Sequence, residues 1–275
     1  MTADYEAITL LEEDNVAWIT FNRPDRLNAL NDQLLEELSH ALDFLATSDS
    51  RVIVIRGSGR AFSAGYDVGS DSNEIGYAHE RSPVEDRDRQ LANIDLFLKV
   101  WRHPLPVITS VHGFCMAGAT QLCVFSDITI VAEDAVIAAS PAVPIGGGFI
   151  SPLWATIVGP KRAKLMSFDA GHRISGVTAV EWGWATEAVP ADALDEHVRA
   201  LAVSIARTPT AILKLKKEAI NRVSELQGLV TIGRMGAETD ALLHLTPEVQ
   251  LLQNLIKERG LKGAIAHFNS GEMKF

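Results

Sequence analysis

The sequence predicts an α/β fold that is followed by a helical unit, and three observations indicate this. Short β-branched segments alternate with segments of helical periodicity up to about residue 190. From Ala191 onward the pattern is helical almost to the end. The chain has 275 residues, of which 47% are apolar, and this is enough for a large core. We therefore predict an α/β core over residues 1–190 and a helical C-terminal region over residues 191–275.

The first half of the chain predicts a hairpin, a helix and a strand in that order. The hairpin strands flank the turn EEDN, and leucine recurs at helical spacing in the segment after it. These elements are a hairpin of residues 7–11 and 16–21, a helix from Asn31 or Asp32 to about Thr47, and a strand of residues 52–56.

The following segments predict a long polar loop, a helix and two buried strands. The loop is rich in Gly, Ser and Asp, and apolar residues face inward along the helix. The segments are the loop 69–84, the helix 85–102 and the strands 105–111 and 128–132. In the helical region, breaks are predicted at Thr208-Pro209 and Thr246-Pro247.

Charge and composition exclude several classes of protein. The net charge is −10, with 35 acidic and 25 basic residues, and this argues against general nucleic-acid binding. No apolar run approaches the roughly 20 residues of a membrane helix, and the N-terminus does not resemble a signal or transit peptide. Two cysteines, Cys115 and Cys123, are too few for a disulfide framework. We expect a cytoplasmic protein that binds neither nucleic acid nor membrane.

Two glycine-containing turns are the most informative segments of the chain. They are residues 59–70 (GRAFSAGYDVGS) and 112–127 (HGFCMAGATQLCVFSD). Each can leave a backbone N–H exposed, and a pair of such donors can form an oxyanion hole. Either turn alone is weak support, because small-residue turns are common in α/β proteins.

The order of six segments resembles that of the crotonase (enoyl-CoA hydratase/isomerase) superfamily. The segments are residues 22–30, 59–67, 106–113, 126–132, 158–163 and 171–175. The resemblance covers nearly the whole chain. It implies a spiral core of β-β-α units with a helical C-terminal trimerisation region, and a homotrimer or a dimer of trimers.

The resemblance also implies an acyl-CoA substrate, with coenzyme A as part of the thioester and no other cofactor or metal. The oxyanion donors would be the backbone N–H groups of Tyr66 and Gly118. The residues implied near coenzyme A are Arg26, Leu27 and Ala29 on one side and Ala64, Asp67 and Val68 on the other. Arg26 can attract a phosphate, whereas Asp67 and Asp127 are expected to hold backbone in place.

The family pattern fails at the two glutamates that a hydratase uses to add water. Gln121 occupies the first position and Ala142 the second. An amide can hold a water molecule but cannot accept a proton near neutral pH. We therefore expect an enzyme with altered chemistry in place of ordinary two-glutamate hydration.

Other residues that could act as a base are few. His112 precedes the second turn, but a structural role is favoured for it. The remaining candidates lie in or after the long loop, a region that lines the acyl pocket in relatives: His79, Glu80, Glu85 and Asp86. Two further readings stay open: a non-catalytic acyl-CoA-binding protein, and a hydrolase that cleaves the C–C bond of a 1,3-diketone.

Overall fold

The computed structural model describes residues 5–68, 81–146 and 150–273. Within these ranges a six-stranded sheet forms the centre of the α/β part, in the order β1-β2-β3-β5-β7-β10. Its strands are β1 (Ile8–Glu13), β2 (Val16–Phe21), β3 (Val52–Gly57), β5 (Val107–Val111), β7 (Ile128–Ala132) and β10 (Glu187–Val189). The β1-β2 hairpin is antiparallel and the other neighbours are parallel. The inner strands are buried, as their continuous apolar sequences predict.

A second sheet of four short strands lies beside the first, in the order β4-β6-β8-β9. Its members are β4 (Ala61–Ser63), β6 (Phe114–Met116), β8 (Val136–Ala138) and β9 (Ile174–Ser175). Each of β3, β5 and β7 leads into a short strand and then into a helix, so a β-β-α unit recurs three times. The sequence did not predict these short strands, because strands of two or three residues carry little periodicity and form through pairing with distant segments.

Ten α-helices complete the described part of the chain, and the last four follow the final strand without interruption by β-structure. They are α1 (Asp32–Leu45), α2 (Pro83–Arg102), α3 (Gly118–Phe125), α4 (Ile150–Val158), α5 (Pro160–Phe168), α6 (Gly176–Glu181), α7 (Leu194–Ala206), α8 (Thr210–Leu226), α9 (Leu229–His244) and α10 (Pro247–Asn269). None of these helices is long and apolar enough to cross a membrane.

Several helix boundaries have local causes. The Asn31 side chain caps α1 by accepting a hydrogen bond from the Leu34 N–H, and it is one of the two caps that the sequence predicts. α2 begins two residues earlier than predicted, because Ser82 and Glu85 form a capping box and Pro83 suits the first turn. Most of the predicted loop 69–84 lies outside the described residues. Gly228, with φ 90°, separates α8 from α9, a break that the sequence did not predict.

The C-terminal helix α9 belongs to the packing of the α/β part. It lies against α2 and α4. Gly233 makes this approach close, because a Cβ atom at this residue would lie 3.4 Å from Ile94 Cδ1 and 3.6 Å from Phe125 Cζ. Side chains at the end of α9 are thereby placed against the first turns of α2.

Candidate active site

The two glycine turns of the sequence are in contact. A Cβ atom at Gly65, which has φ 85°, would lie 2.7 Å from the Met116 carbonyl oxygen and 3.3 Å from the Gly118 nitrogen. Only glycine fits this combination of a left-handed backbone and close backbone approach. The contact brings the segments that carry Tyr66 and Gly118 side by side.

The Tyr66 N–H points away from its neighbouring strand. Leu30 donates its N–H to the Gly65 carbonyl at 2.8 Å, and its own carbonyl accepts from the Asp67 N–H at 3.0 Å. This is a parallel bridge between Leu30 and Tyr66. In such a bridge the N–H of the flanked residue faces the opposite side. Within the described residues, the Tyr66 N–H has no backbone acceptor.

Gly118 is the first residue of α3, so its N–H is one of the donors that a helix cannot satisfy internally. The preceding Ala117 has φ 47° and ψ −120° and gives no side-chain cap. A non-glycine residue rarely adopts this backbone conformation, which costs on the order of 1–3 kcal/mol. Strain of this kind occurs where a turn must present its backbone to a ligand. The N–H of Gly118 also lies at the positive end of the α3 dipole.

The Tyr66 side chain covers Gly118. A Cβ atom at Gly118 would lie 2.6 Å from Tyr66 Cε2. Tyr66 is partly exposed as a residue, but its hydroxyl is buried, and Asn93 approaches that hydroxyl without the geometry of a hydrogen bond. Burial is the largest cause that raises the pKa of the hydroxyl, and the charge of Asp240 raises it further. Arg89 and Asn93 lower this pKa, but their effect is smaller. The phenol therefore stays protonated at neutral pH.

Gln121 lies one turn into α3 and is fully buried. Neither its amide oxygen nor its amide nitrogen has a hydrogen-bond partner among the described residues. Most buried polar groups in proteins are paired, and an unpaired one costs about 1–3 kcal/mol. A buried amide that has no partner within the described part of the chain, three residues after the start of α3, is a group suited to a ligand.

Ala142, at the other expected glutamate position, is half-buried and lies against the turn at Gly171. A Cβ atom at Gly171 would be 3.0 Å from the Ala142 Cα. The sequence has no acidic residue between Asp134 and Asp169. The segment around Ala142 therefore supplies no carboxylate.

The two stretches expected to hold coenzyme A run side by side. The Ala64 N–H donates to the Leu27 carbonyl at 2.9 Å. Arg26 is exposed at the end of a short 3-10 turn, and Leu27 follows it with φ 51°. Ala29 is buried, and Val68 is half-buried.

Asp67 has a structural contact with the first of these stretches. Its Oδ2 lies 3.0 Å from Arg23 Nη2. Arg23 also donates to the Ala29 carbonyl. The ion pair thus ties the turn that carries Tyr66 to the stretch that contains Arg26.

Three other sequence candidates have local partners. His112 Nε2 lies 2.9 Å from the Gly59 carbonyl oxygen, and Glu85 caps α2. Asp127 accepts from the Val107 N–H at 2.7 Å and pairs with Lys217 Nζ, also at 2.7 Å. These contacts favour structural roles. His79 and Glu80 lie outside the described residues.

Asp86, Asp240 and His244 form a cluster, which we call the His244 cluster. The sequence did not predict it. His244 Nδ1 lies 2.8 Å from Asp86 Oδ2, and Nε2 lies 3.9 Å from Asp240 Oδ2. Burial lowers the pKa of His244, but the hydrogen bond with Asp86 and the charges of Asp240 and Asp86 outweigh burial and Arg89, so the pKa is raised. The four-residue spacing of Asp240 and His244 could have suggested a shared helix face, but their partner Asp86 is 158 residues from His244.

Three β-β-α units, with two glycine-containing turns in contact, are typical of the crotonase-like fold. The chain belongs to the enoyl-CoA hydratase/isomerase family, whose sequence profile matches residues 12–247. It is 32% identical over 222 residues to a provisionally assigned enoyl-CoA hydratase of Rhodobacter capsulatus, covering 79% of this chain and 82% of that protein. It is 31% identical over 217 residues to the 1,2-epoxyphenylacetyl-CoA isomerase of Escherichia coli K12, covering 76% and 79%.

The fold agrees with solved structures of the family. A crystal structure from Novosphingobium aromaticivorans DSM 12444, provisionally assigned as an enoyl-CoA hydratase/isomerase, superposes with a TM-score of 0.90. The two proteins are 40% identical, and the match covers 96% of this chain and 95% of the other. The predicted crotonase-like α/β fold is therefore confirmed.

Proposed function

We propose that this protein binds an acyl-CoA thioester and stabilises its enolate between the Tyr66 and Gly118 N–H groups. The observation that supports the proposal is the contact of the two turns, because the segments that contain Tyr66 and Gly118 lie side by side. Two backbone donors aimed at a carbonyl oxygen stabilise the charge that develops there, and one such donor is typically worth about 10²–10³ in rate. Membership of the family supports an acyl-CoA substrate.

The reaction we propose is a proton transfer next to the thioester, such as an isomerisation, in place of ordinary hydration. Addition of water requires a group that deprotonates the water and another that protonates carbon. Gln121 and Ala142 supply neither. The similarity to an acyl-CoA isomerase of E. coli is in keeping with this class of reaction.

The coenzyme A moiety would lie along the two stretches that adjoin the donors. The stretch 26–29 offers one cation, Arg26, and an otherwise apolar surface; Ala64, Asp67 and Val68 lie opposite. Asp67 would hold the turn in shape through Arg23 and would not meet the ligand. We further propose a cytoplasmic homotrimer or dimer of trimers, with coenzyme A as part of the substrate and no separate cofactor.

A second candidate function is acyl-CoA binding without catalysis. The observation that favours it is the replacement of both glutamates while both backbone donors are retained. The hydrolysis of a non-CoA 1,3-diketone is the third, and it requires no coenzyme A site. Binding of acyl-CoA separates the third candidate from the others, and turnover separates the first two.

The test is calorimetry with a panel of acyl-CoAs, followed by the variant Tyr66→Pro. Proline removes the N–H, and within the described residues that N–H serves no backbone acceptor. We expect the wild type to bind, and the variant to lose turnover while it keeps its affinity for free coenzyme A. Tyr66→Phe, which keeps the N–H, is the matched control. Absence of acyl-CoA binding at hundreds of micromolar would show that the coenzyme A assignment is wrong.

A further inference from the structure

The His244 cluster is more buried than ion pairs that only join helices α2 and α9 need to be. The side chains of Asp86, His244 and Asp240 are 2%, 13% and 10% exposed. Burying charges costs several kcal/mol per ion, and apolar replacements of buried ion pairs are often as stable. The α2–α9 contact also has apolar packing of its own around Gly233. The burial of these charged groups therefore favours a chemical role for the cluster over a purely structural one.

The geometry around His244 is that of an oriented base. Its Nδ1 lies 2.8 Å from Asp86 Oδ2, a contact that fixes the ring and places a proton on Nδ1. Within the described residues Nε2 makes no hydrogen bond, and Asp240 Oδ2 lies 3.9 Å from it. A Cβ atom at Gly146 would lie 3.5 Å from Nε2. Because Gly146 has no side chain, it places no side-chain atom against Nε2.

The Tyr66 side chain links this cluster to the oxyanion donors. Its backbone N–H is one proposed donor, its ring covers the other at Gly118, and the charge of Asp240 helps to raise the pKa of its buried hydroxyl. Arg89 and Asn93 of α2 act on the same hydroxyl in the opposite direction, since both lower its pKa. The Tyr66 side chain thus connects the proposed donors with the electrostatic surroundings of Asp240.

We propose that His244 Nε2 removes and returns a proton of the bound acyl group, and that Asp86 is its positioning residue. This inference rests on the proposed function. The Nε2 lone pair takes a proton from a carbon conjugated with the thioester, either the α carbon or the γ carbon of an unsaturated acyl group. When the proton leaves the α carbon, the C–H electron pair forms a π bond to the carbonyl carbon. When it leaves the γ carbon, the C–H pair forms the Cβ=Cγ π bond and the Cα=Cβ pair shifts to the bond between Cα and the carbonyl carbon. In both cases the carbonyl π pair moves to the oxygen held by Tyr66 and Gly118. Return of the proton to the same carbon gives exchange, and return to the other carbon gives isomerisation.

The charged and titratable groups that face His244 set its pH dependence. They are Asp86 and Arg89 from α2 and Asp240 from α9, with the Tyr66 hydroxyl near Asp240. The carboxylates favour the imidazolium, so the neutral base forms only as pH rises through a pKa above the ordinary value. Proton exchange should increase with pH through that value. Removal of the Asp240 charge should shift the midpoint to lower pH.

The experiment measures deuterium uptake by butyryl-CoA and crotonyl-CoA in D₂O, using mass spectrometry on the full chain. Butyryl-CoA reports the α position, and crotonyl-CoA reports the γ position. We expect His244→Gln to slow exchange by about 10²–10⁴, the usual effect of a positioned acid–base group. His197→Gln is the matched control, because His197 Nε2 pairs with Glu187 Oε2 at 2.7 Å in an exposed site. The control should exchange as the wild type does.

The outcomes separate this inference from the proposed function. Equal exchange by wild type and His244→Gln would overturn the role of His244 and leave the enolate proposal standing. A wild type that binds both thioesters but exchanges neither would overturn both. If His244→Gln does not fold, judged by circular dichroism and oligomer size, Asp86→Asn and Asp240→Asn decide the matter. An unchanged pH midpoint in both variants would overturn the inference, since a purely structural cluster would not set that midpoint.

Discussion

The ring of Tyr66 lies directly over the Cα of Gly118, so closely that a Cβ atom at Gly118 would be 2.6 Å from Tyr66 Cε2. The two residues proposed as oxyanion donors therefore also fix each other's position through a side chain. This relationship explains how a tyrosine can occupy a turn otherwise built from small residues. It also makes the pair sensitive to a single added methyl group.

The first prediction concerns this contact. Gly118→Ala should displace the Tyr66 ring and misplace both donors, and we expect activity to fall by about 10²–10³, the effect of one lost oxyanion donor. Tyr66→Ala removes the ring and keeps the backbone N–H, so the double variant should recover part of the loss. A double-mutant cycle on kcat/KM measures this coupling. Additive effects would show that the contact does not govern the donors.

The second prediction is weak or absent hydration of crotonyl-CoA by the wild type, because Gln121 and Ala142 cannot transfer protons. Loss of positioned acid–base groups typically costs about 10²–10⁴ each. Gln121→Glu combined with Ala142→Glu should raise hydration, followed by the loss of absorbance of the conjugated thioester. Gln121→Asn, which adds no carboxylate, is the control. Wild-type turnover of about 10 per second, an ordinary enzyme rate, would contradict the prediction.

The third prediction is assembly through α8. Five apolar side chains on this helix are exposed: Ile212 46%, Leu215 66%, Ile220 67%, Val223 56% and Leu226 90%. Apolar patches of this kind usually mark interfaces, and closed rotational symmetry is the common arrangement. We expect a trimer or hexamer by light scattering at micromolar concentration.

The variants that test assembly all replace an exposed apolar residue by glutamate, and they differ in whether that residue lies on α8. Leu215→Glu with Ile220→Glu should dissociate the oligomer, because each substitution puts a charge into the proposed interface. Phe168→Glu removes a residue that is 79% exposed and lies outside α8, so it should leave assembly unchanged. A monomeric wild type would contradict the prediction.

The fourth prediction is a pH dependence of stability that arises from His103. Burial, the largest effect, and the charge of Lys217 lower its pKa to about 4, although hydrogen bonds with Leu42 and Leu105 act against this. The unfolded chain binds the proton near pH 6.5, so it takes up more protons than the folded chain between these values. Stability should therefore be full above about pH 6.5 and decrease as the pH falls toward 4, by up to about 3 kcal/mol.

Urea denaturation at pH 7.5, 6 and 5 measures this effect. His103→Gln can retain hydrogen bonds of both kinds but does not titrate, so its stability should change less with pH than that of the wild type. The His172→Gln variant is the control, since His172 is paired with Asp169 at 2.8 Å on a more exposed part of the surface. Parallel pH curves for wild type and His103→Gln would contradict the prediction.

The order of helices and strands in the main sheet could be read from the sequence because those elements are governed by local patterns. α1 shows this: leucine spacing and a cap at Asn31 or Asp32 predicted the helix, and both signals lie within one segment. The resemblance of the glycine turns also identified the family, since these turns depend on small residues at fixed spacing. The replacement of glutamate by Gln121 and Ala142 likewise needs only the sequence.

Only the tertiary structure shows which parts of the chain are in contact with the glycine turns and with helix α2. The contact of Gly65 with Met116 and Gly118 depends on pairing between separate β-β-α units. Asp86 meets His244 across 158 residues only because α9 folds back onto α2. A local sequence pattern cannot predict a contact between residues so far apart in the chain. Such a contact results from the burial of apolar faces on distant elements. The sequence thus determined the family and the missing glutamates, whereas the packing decided which carboxylates lie against His244.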